Sequence, residues 1–352
     1  KFPEIFFFHM RRFVLLIAFI PLSLLSQNLS TDKSLKQVLS LPDKEAIKAR
    51  IKFLADDKLQ GRRASSSGYK MAVDYVIGQF KELGIGPKGD DGYLQKVTIR
   101  TGKVDSTKTE LVFNGKSLKY GTEYAVLPDM NNGSTDFQGE VIFIGQGIFA
   151  PHLHHDDYAG IDVKGKVVIM VASVPEHFPP SERAHFTSTA MRAEVAASRG
   201  ATGAIAINTI PRQFNMARSG AANGIQGIMN KNGRITARSG VTHPNTKFYA
   251  VGKDSYFIPL LENLRRGDRV GTVSVKSRTN YTEFVSYNVI GVIPGSDKTL
   301  KSEYVIHTSL LDHLGIRTKI NGDSIYNGAH DNASGVACVL EIAKLYKKAR
   351  IK

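Results

Sequence analysis

Apolar residues recur along this chain with two periods, and the change from one to the other marks out its elements. Tyr69, Ala72, Val73, Val76, Ile77, Phe80 and Leu83 are spaced by three and four residues. That spacing lines one face of a helix, and Gly84 follows as its stop. Residues 43–54 repeat the pattern, and Gly61-Arg62-Arg63-Ala64-Ser65-Ser66-Ser67-Gly68 between the two helices reads as a turn-rich loop. From residue 93 to about 126 the period falls to two. Thr109-Glu110-Leu111-Val112-Phe113 followed by Asn114-Gly115 predicts β-hairpin structure there.

Strands and helices then alternate. Residues 139–144, 166–171 and 204–208 predict strands, 187–198 a helix, and 258–265 a closing helix, giving an α/β module that ends near residue 275. A third unit opens with strands over 286–294 and 303–309, passes a hairpin at Gly322-Asp323, and continues into a helix over 333–348. No internal repeat or low-complexity tract interrupts the order.

Composition refines this picture. A chain of 352 residues that is 42% hydrophobic can bury a sizeable core and holds about two domains. The formal charge of +15 raises nucleic acid as a partner, yet the basic residues are scattered and no arginine-rich run interleaves with aromatics, so nucleic-acid binding is not expected. A single cysteine excludes an internal disulfide framework and a cysteine-rich zinc site. Its apolar helical context predicts that Cys338 is a buried structural thiol.

Met10-Arg11-Arg12, the apolar run 13–25 and then Ser26-Gln27 have the order of a signal peptide, about residues 10–26, so a secreted or periplasmic protein is expected. The run is shorter than the ~20 residues that span a bilayer, so no stable membrane span is expected after its removal.

The candidate chemistry lies near the end of the chain. Thr308-Ser309-Leu310-Leu311-Asp312-His313-Leu314-Gly315 is followed by Tyr326-Asn327-Gly328-Ala329-His330-Asp331-Asn332-Ala333-Ser334-Gly335. A strand ending in polar residues, a loop, and an Asp just before a helix capped by Asn332 or Ser334 form the carboxyl edge at which open α/β sheets bind ligands. Aspartate oxygen there is a competent zinc ligand. The plain alternative is a helix cap with a loop histidine.

The combined pattern resembles the co-catalytic, two-zinc aminopeptidase family related to glutamate carboxypeptidase, the transferrin receptor and glutaminyl cyclase. The opening segment Ile51-Lys52-Phe53-Leu54-Ala55-Asp56-Asp57-Lys58-Leu59-Gln60-Gly61-Arg62, with Gly68-Tyr69 and Gly92-Tyr93-Leu94-Gln95-Lys96-Val97, resembles the same family. By this resemblance Asp331 is the ligand that bridges two zinc ions. Asp312 is the catalytic site's supporting carboxylate, a role that fixes a ligand's tautomer and basicity.

Two departures stand out. Leu310 occupies the position of the family's zinc-binding histidine, and an isobutyl group donates no electron pair. His307 and His313 are expected not to replace it, because a register shift would turn them to the other face of the strand. The family continues past the following helix with a Glu-Glu pair and later an Asp and a His. Here only Glu341 follows Asp331, inside the helix, so the resemblance implies a C-terminally truncated chain that is inactive on its own.

The middle of the chain resembles the protease-associated domain inserted in such enzymes, through residues 157–168 and 196–205. The fold expected is therefore α/β: an incomplete zinc-peptidase doubly wound sheet domain, phosphorylase/hydrolase-like, with an inserted α/β protease-associated domain. The divisions expected are 1–27 for the signal region, 28–128 for the first part of the peptidase domain, 129–280 for the inserted domain and 281–352 for the second, truncated part. The expected function is a secreted zinc aminopeptidase acting on peptide or protein substrates. The alternative is a noncatalytic binding protein that uses the inserted domain.

Several look-alikes fall away. Gly160 to Val167 approaches a phosphate-binding loop, but Val167 stands where a Ser or Thr is needed and the loop opens a strand rather than a helix. His152, His154, His155, Asp156 and Asp157 are read as a solvated loop. No nucleophile elbow or His-Glu-x-x-His helix occurs.

Overall fold

The structure, a computed structural model, describes residue 38 and residues 40–236 and 240–349. The expected signal segment lies outside the described residues. Among the described residues no helix is long and apolar enough to cross a membrane. Contacts divide the chain into two compact units, Lys1–Gly86 with Val292–Lys352, and Pro87–Gly291.

The second unit is built on an eleven-stranded mixed sheet. Its centre is Val167–Val171, paired in parallel with Ser134–Phe143 on one side and Gly203–Asn208 on the other, with Phe248–Lys253 parallel beyond. Alternate residues of these strands face opposite ways. Val168, Met170, Ala204, Ala206, Tyr249 and Val251 pack with Ala193 and Ala196 of the helix Thr189–Ser198. Val167, Ile169, Ile205, Ile207, Phe248 and Ala250 pack with Phe257 and Leu261 of the helix Asp254–Leu261. Burial on both faces explains why these strands read as unbroken apolar runs rather than alternating ones.

The 21-residue strand Arg269–Val289 joins this parallel part to an antiparallel one. It pairs with Ser134–Phe143 and Glu110–Phe113 along its first half and with Leu94–Val104 along its second. Asn114 and Gly115, both at positive φ, turn Glu110–Phe113 into Lys116–Ser117, the hairpin that Asn-Gly predicts. Residues 286–289, expected to open a new unit, are the end of this long strand. The closing helix starts four residues earlier than expected and ends at Leu261, with a turn at Gly267 (φ 95) leading into the long strand.

The histidine-rich loop is more ordered than a solvated loop. Phe149–Ala150 pairs with His155–Asp156, and Asp157, 4% exposed, accepts from the Ile148 N–H and from Arg266. Gly160 and Gly165 serve the turns that lead into Val167–Val171.

In the first unit the helix Lys44–Leu54 is capped by Asp43, whose carboxylate accepts from the Ala46 N–H, and the helix Ser67–Glu82 by Ser66, whose hydroxyl accepts from the Tyr69 N–H. The helix Ser334–Ala349 buries Val336, Ala337, Leu340 and Glu341. Cys338 falls on the opposite face of that helix and is exposed, contrary to expectation: the buried stripe runs through 333, 336, 337 and 340 and leaves 338 outside it.

The strand expected over 303–309 does not form. Residues 303–314 pair with no strand among the described residues, and Val305 and Ile306 are 82% and 78% exposed. β-branched residues favour a pleated surface only where neighbours cover it. The hairpin that follows, Gly315–Ile320 with Asp323–Tyr326, does form.

Candidate metal centre

The candidate site belongs to the first unit and is made by two loops. One is residues 308–314, ahead of the hairpin. The other runs from Asn327 to Ala333 and leads into the helix Ser334–Ala349. The helix is held at its start by Asn332, whose Oδ1 accepts from the Gly335 N–H at 3.0 Å, while the Ser334 hydroxyl donates to the His330 carbonyl at 2.9 Å. Asn332 is thus the cap. Asp331, free of that duty, projects with its side chain 68% exposed.

Across from it stands His313, whose side chain is 14% exposed and whose Nδ1 lies 3.8 Å from Oδ2 of Asp331. Gly328 permits this approach. It sits at φ 65, and a Cβ there would meet the His313 ring at 2.6 Å and the Asp331 carbonyl oxygen at 2.4 Å. The expectation that register keeps His313 from the site assumed a strand, and the segment pairs with none. Leu310 is 62% exposed, and Asp312 is exposed as well.

Arg62 connects the two loops. It is 1% exposed. Its Nε donates to the Leu311 carbonyl at 2.9 Å, Nη1 to the Asn327 carbonyl at 2.6 Å and also to the Leu54 carbonyl, and Nη2 to the Gly328 carbonyl at 3.0 Å. Burial pulls its pKa below the usual arginine range, and the charges of Asp312 and Asp331 oppose that shift. Asn327 adds a second tie, donating to the Ala55 carbonyl at 2.8 Å and to Asp57 at 2.7 Å. A cleft of about 430 Å³ lined by Ile51, Lys52, Ala55, Asp56, Asp57 and Ala329 opens beside the second loop.

In the sequence Arg62 stands only as the last residue of the opening segment, with no role marked for it. The available signal was a Gly-Arg pair closing that segment. Glu341 has no place in the site: its carboxylate takes the Arg50 guanidinium at 2.7 Å, the Asp43 N–H at 2.9 Å and Lys344 at 2.9 Å.

As a zinc site, the pair His313 and Asp331 fits in donor chemistry, an imidazole and a carboxylate facing each other, but falls short in number. Zinc sites in proteins take three or four protein ligands. No group of three or more His, Cys, Asp or Glu residues that could hold a metal occurs among the described residues.

Residues 288–352 match Peptidase family M28. No curated protein matches the chain. Among solved structures, an aminopeptidase from Aneurinibacillus sp. strain AM-1 is 20% identical over 89% of this chain and 61% of its own, with a TM-score of 0.42. BSAP, a zinc aminopeptidase from Bacillus subtilis, is 15% identical over 86% of this chain and 57% of its own, with a TM-score of 0.32. The chain thus spans less than two thirds of the length of these proteins. The segment that holds Asp312, His313 and Asp331 is the part of the chain that matches peptidase family M28.

Proposed function

We propose that the chain carries part of a zinc-dependent aminopeptidase site, in which Asp331 is a metal ligand and Asp312 a supporting carboxylate. The observation that carries this reading is the coincidence of the M28 match over 288–352 with a place where two tethered loops bring an imidazole and a carboxylate face to face. Zinc, when bound, supplies Lewis acidity toward a peptide carbonyl. The chain's own residues hold the two loops at a fixed spacing and leave the Asp331 carboxylate open to the surface.

The reading extends to a secreted protein whose second unit contains a protease-associated domain, and to peptide or protein substrates. The described residues supply two donors, and Glu341, the one glutamate after Asp331, is engaged by Arg50. The chain by itself is therefore expected to bind zinc weakly and to release no N-terminal residue from an aminoacyl anilide. The test is a zinc titration of the purified chain beside Asp331→Asn. Weak zinc binding lost in the variant supports the reading, and binding indifferent to Asp331 refutes it. Leu310, exposed where the family resemblance expects an imidazole, favours a second reading, a noncatalytic binding protein, which absence of zinc binding would support.

A further inference from the structure

The second unit holds a basic cleft that shares no residue with the candidate metal centre. It measures about 420 Å³ and is lined by the loop that leads into the strand Val167–Val171 and by the turn that leads into Arg269–Val289. Lys166 comes from the loop, and Arg265 and Arg266 come from the turn. Asp162 is the carboxylate among the lining residues.

Cations gathered in one cleft repel one another unless anions sit among them. Here the neighbouring carboxylates are turned to backbone: Oδ1 of Asp162 accepts from the Lys164 N–H at 2.9 Å, and Oδ2 of Asp268 accepts from the Arg265 N–H at 2.7 Å. Of the three cations only Arg266 has a carboxylate partner. Its Nη1 donates to Oδ1 of the buried Asp157 at 3.2 Å and to the Asp156 carbonyl at 2.9 Å, which holds the side chain in place and leaves Nε and Nη2 without a bond among the described residues. The side chains of Lys166 and Arg265 make no hydrogen bond or ion pair among the described residues.

Both walls are set by backbone bonds. The Ile161 N–H donates to the Tyr158 carbonyl at 3.0 Å, the Lys166 N–H to the Val163 carbonyl at 3.1 Å, and the Gly267 N–H to the Phe143 carbonyl at 2.7 Å. The walls approach at Gly267 (φ 95), where a Cβ would stand 3.6 Å from Cγ1 of Ile161. At Gly160 a Cβ would meet nothing within 4 Å, so the space is open on that side.

We infer that this cleft binds a phosphoryl group, with Lys166, Arg265 and Arg266 as its cations. A phosphate monoester carries close to two negative charges near neutral pH, which match the two unpartnered cations, whereas a carboxylate carries one. Guanidinium forks also pair with phosphate oxygens through two parallel bonds. The volume lies within the roughly 300–1,000 Å³ of small-molecule sites, so there is room for an organic group beside the phosphate. The nucleotide loop set aside above is a different device. It would place phosphate on backbone N–H groups at a helix start, whereas this loop opens a strand and recognition falls to side chains from two segments.

The test is calorimetric titration of the full chain with inorganic phosphate, phenyl phosphate and acetate at an ionic strength of about 0.15 M, where charges more than roughly 8 Å away are screened. The wild-type chain is compared with Lys166→Gln and Arg265→Gln, and with Arg212→Gln, an exposed cation outside the lining, each shown folded by circular dichroism. Saturable binding of one phosphate or phenyl phosphate per chain is expected, with acetate weaker by about tenfold or more, the difference of one charge-assisted contact. Lys166→Gln and Arg265→Gln are each expected to weaken phosphate binding about tenfold and Arg212→Gln to leave it unchanged. Tighter binding of phenyl phosphate would assign the group to a small molecule and tighter binding of inorganic phosphate to the free ion, and either supports the site. Absence of saturable phosphate binding, acetate binding as tight as phosphate, binding unaltered in both lining variants, or equal weakening by Arg212→Gln would each overturn the inference.

Discussion

Nδ1 of His313 lies 3.8 Å from Oδ2 of Asp331, although the position at which the family resemblance expects an imidazole is held by Leu310. The two facts predict opposite effects of two substitutions. His313→Ala removes a donor that faces Asp331, and zinc affinity is expected to fall on the order of tenfold, about 1.4 kcal/mol. Leu310→His adds an imidazole to the same loop at an exposed position, and affinity is expected to rise by a comparable factor. A zinc titration by calorimetry checks both. A rise with Leu310→His that survives Asp331→Asn would place the new imidazole in some other site.

Glu341 and Arg50 form a buried ion pair, with side chains 4% and 7% exposed. Burial alone would raise the Glu341 pKa. The hydrogen bonds from the Asp43 N–H, Lys344 and Arg50 outweigh it and hold the carboxyl at about 2, below its ordinary 4.5. A depressed carboxyl stabilises the fold above its unfolded pKa, so this contribution is complete above about pH 4.5 and is lost as pH falls through about 2. Glu341→Gln leaves Arg50 buried without its anion and is expected to cost about 3–5 kcal/mol at neutral pH. It should also flatten the acid limb of a stability profile measured by urea unfolding. An acid limb unchanged in the variant would contradict the assignment.

Much of the fold was legible because it is written in local periodicity. The helices Ser67–Glu82 and Ser334–Ala349 and the buried strands Val167–Val171 and Gly203–Asn208 fall close to their expected bounds, since helical spacing marks the buried face of the helices and an unbroken apolar run marks strands buried on both faces. What failed depended on partners. Residues 303–309 carry strand composition but no strand lies beside them, and the long strand Arg269–Val289 crosses what looked like a unit boundary because it has a neighbour along its whole length. The site was legible as the two loops. Arg62 was not, because nothing in the sequence announces that its acceptors are carbonyls about 250 residues away. The proximity of His313 was missed for the same reason as the strand: a period-two argument has no force on a chain that pairs with nothing.

Gly61 tests the geometry behind Arg62 from another direction. Its φ is 67, and a Cβ would stand 2.4 Å from the Tyr326 carbonyl oxygen and 2.8 Å from that of Gly315. Left-handed backbone costs a non-glycine residue about 1–2 kcal/mol, and backbone oxygens at this distance cannot yield as a side chain would. Gly61→Ala is therefore expected to lower stability by at least about 2 kcal/mol. Thermal unfolding measures this, and a variant as stable as the wild type would contradict the packing described.

The second unit contains a comparable buried cation. Arg192, 1% exposed, donates to the carbonyls of Phe186, Gln146, Val171 and Ser173, and burial pulls its pKa down to about 10. Arg192→Met strands these carbonyls and is expected to cost about 2–4 kcal/mol and to open residues 173–188 to limited proteolysis. Cleavage confined to other segments would contradict the role given to Arg192.

The proposed site depends on Asp331 as a metal ligand. Zinc bound by the purified chain, measured by equilibrium dialysis at fixed free zinc beside Asp331→Asn, tests this most directly. The expected result is zinc retained by the wild-type chain and reduced by about tenfold or more in affinity in the variant. Zinc binding that is absent from the wild type, or equal in the two proteins, would contradict it.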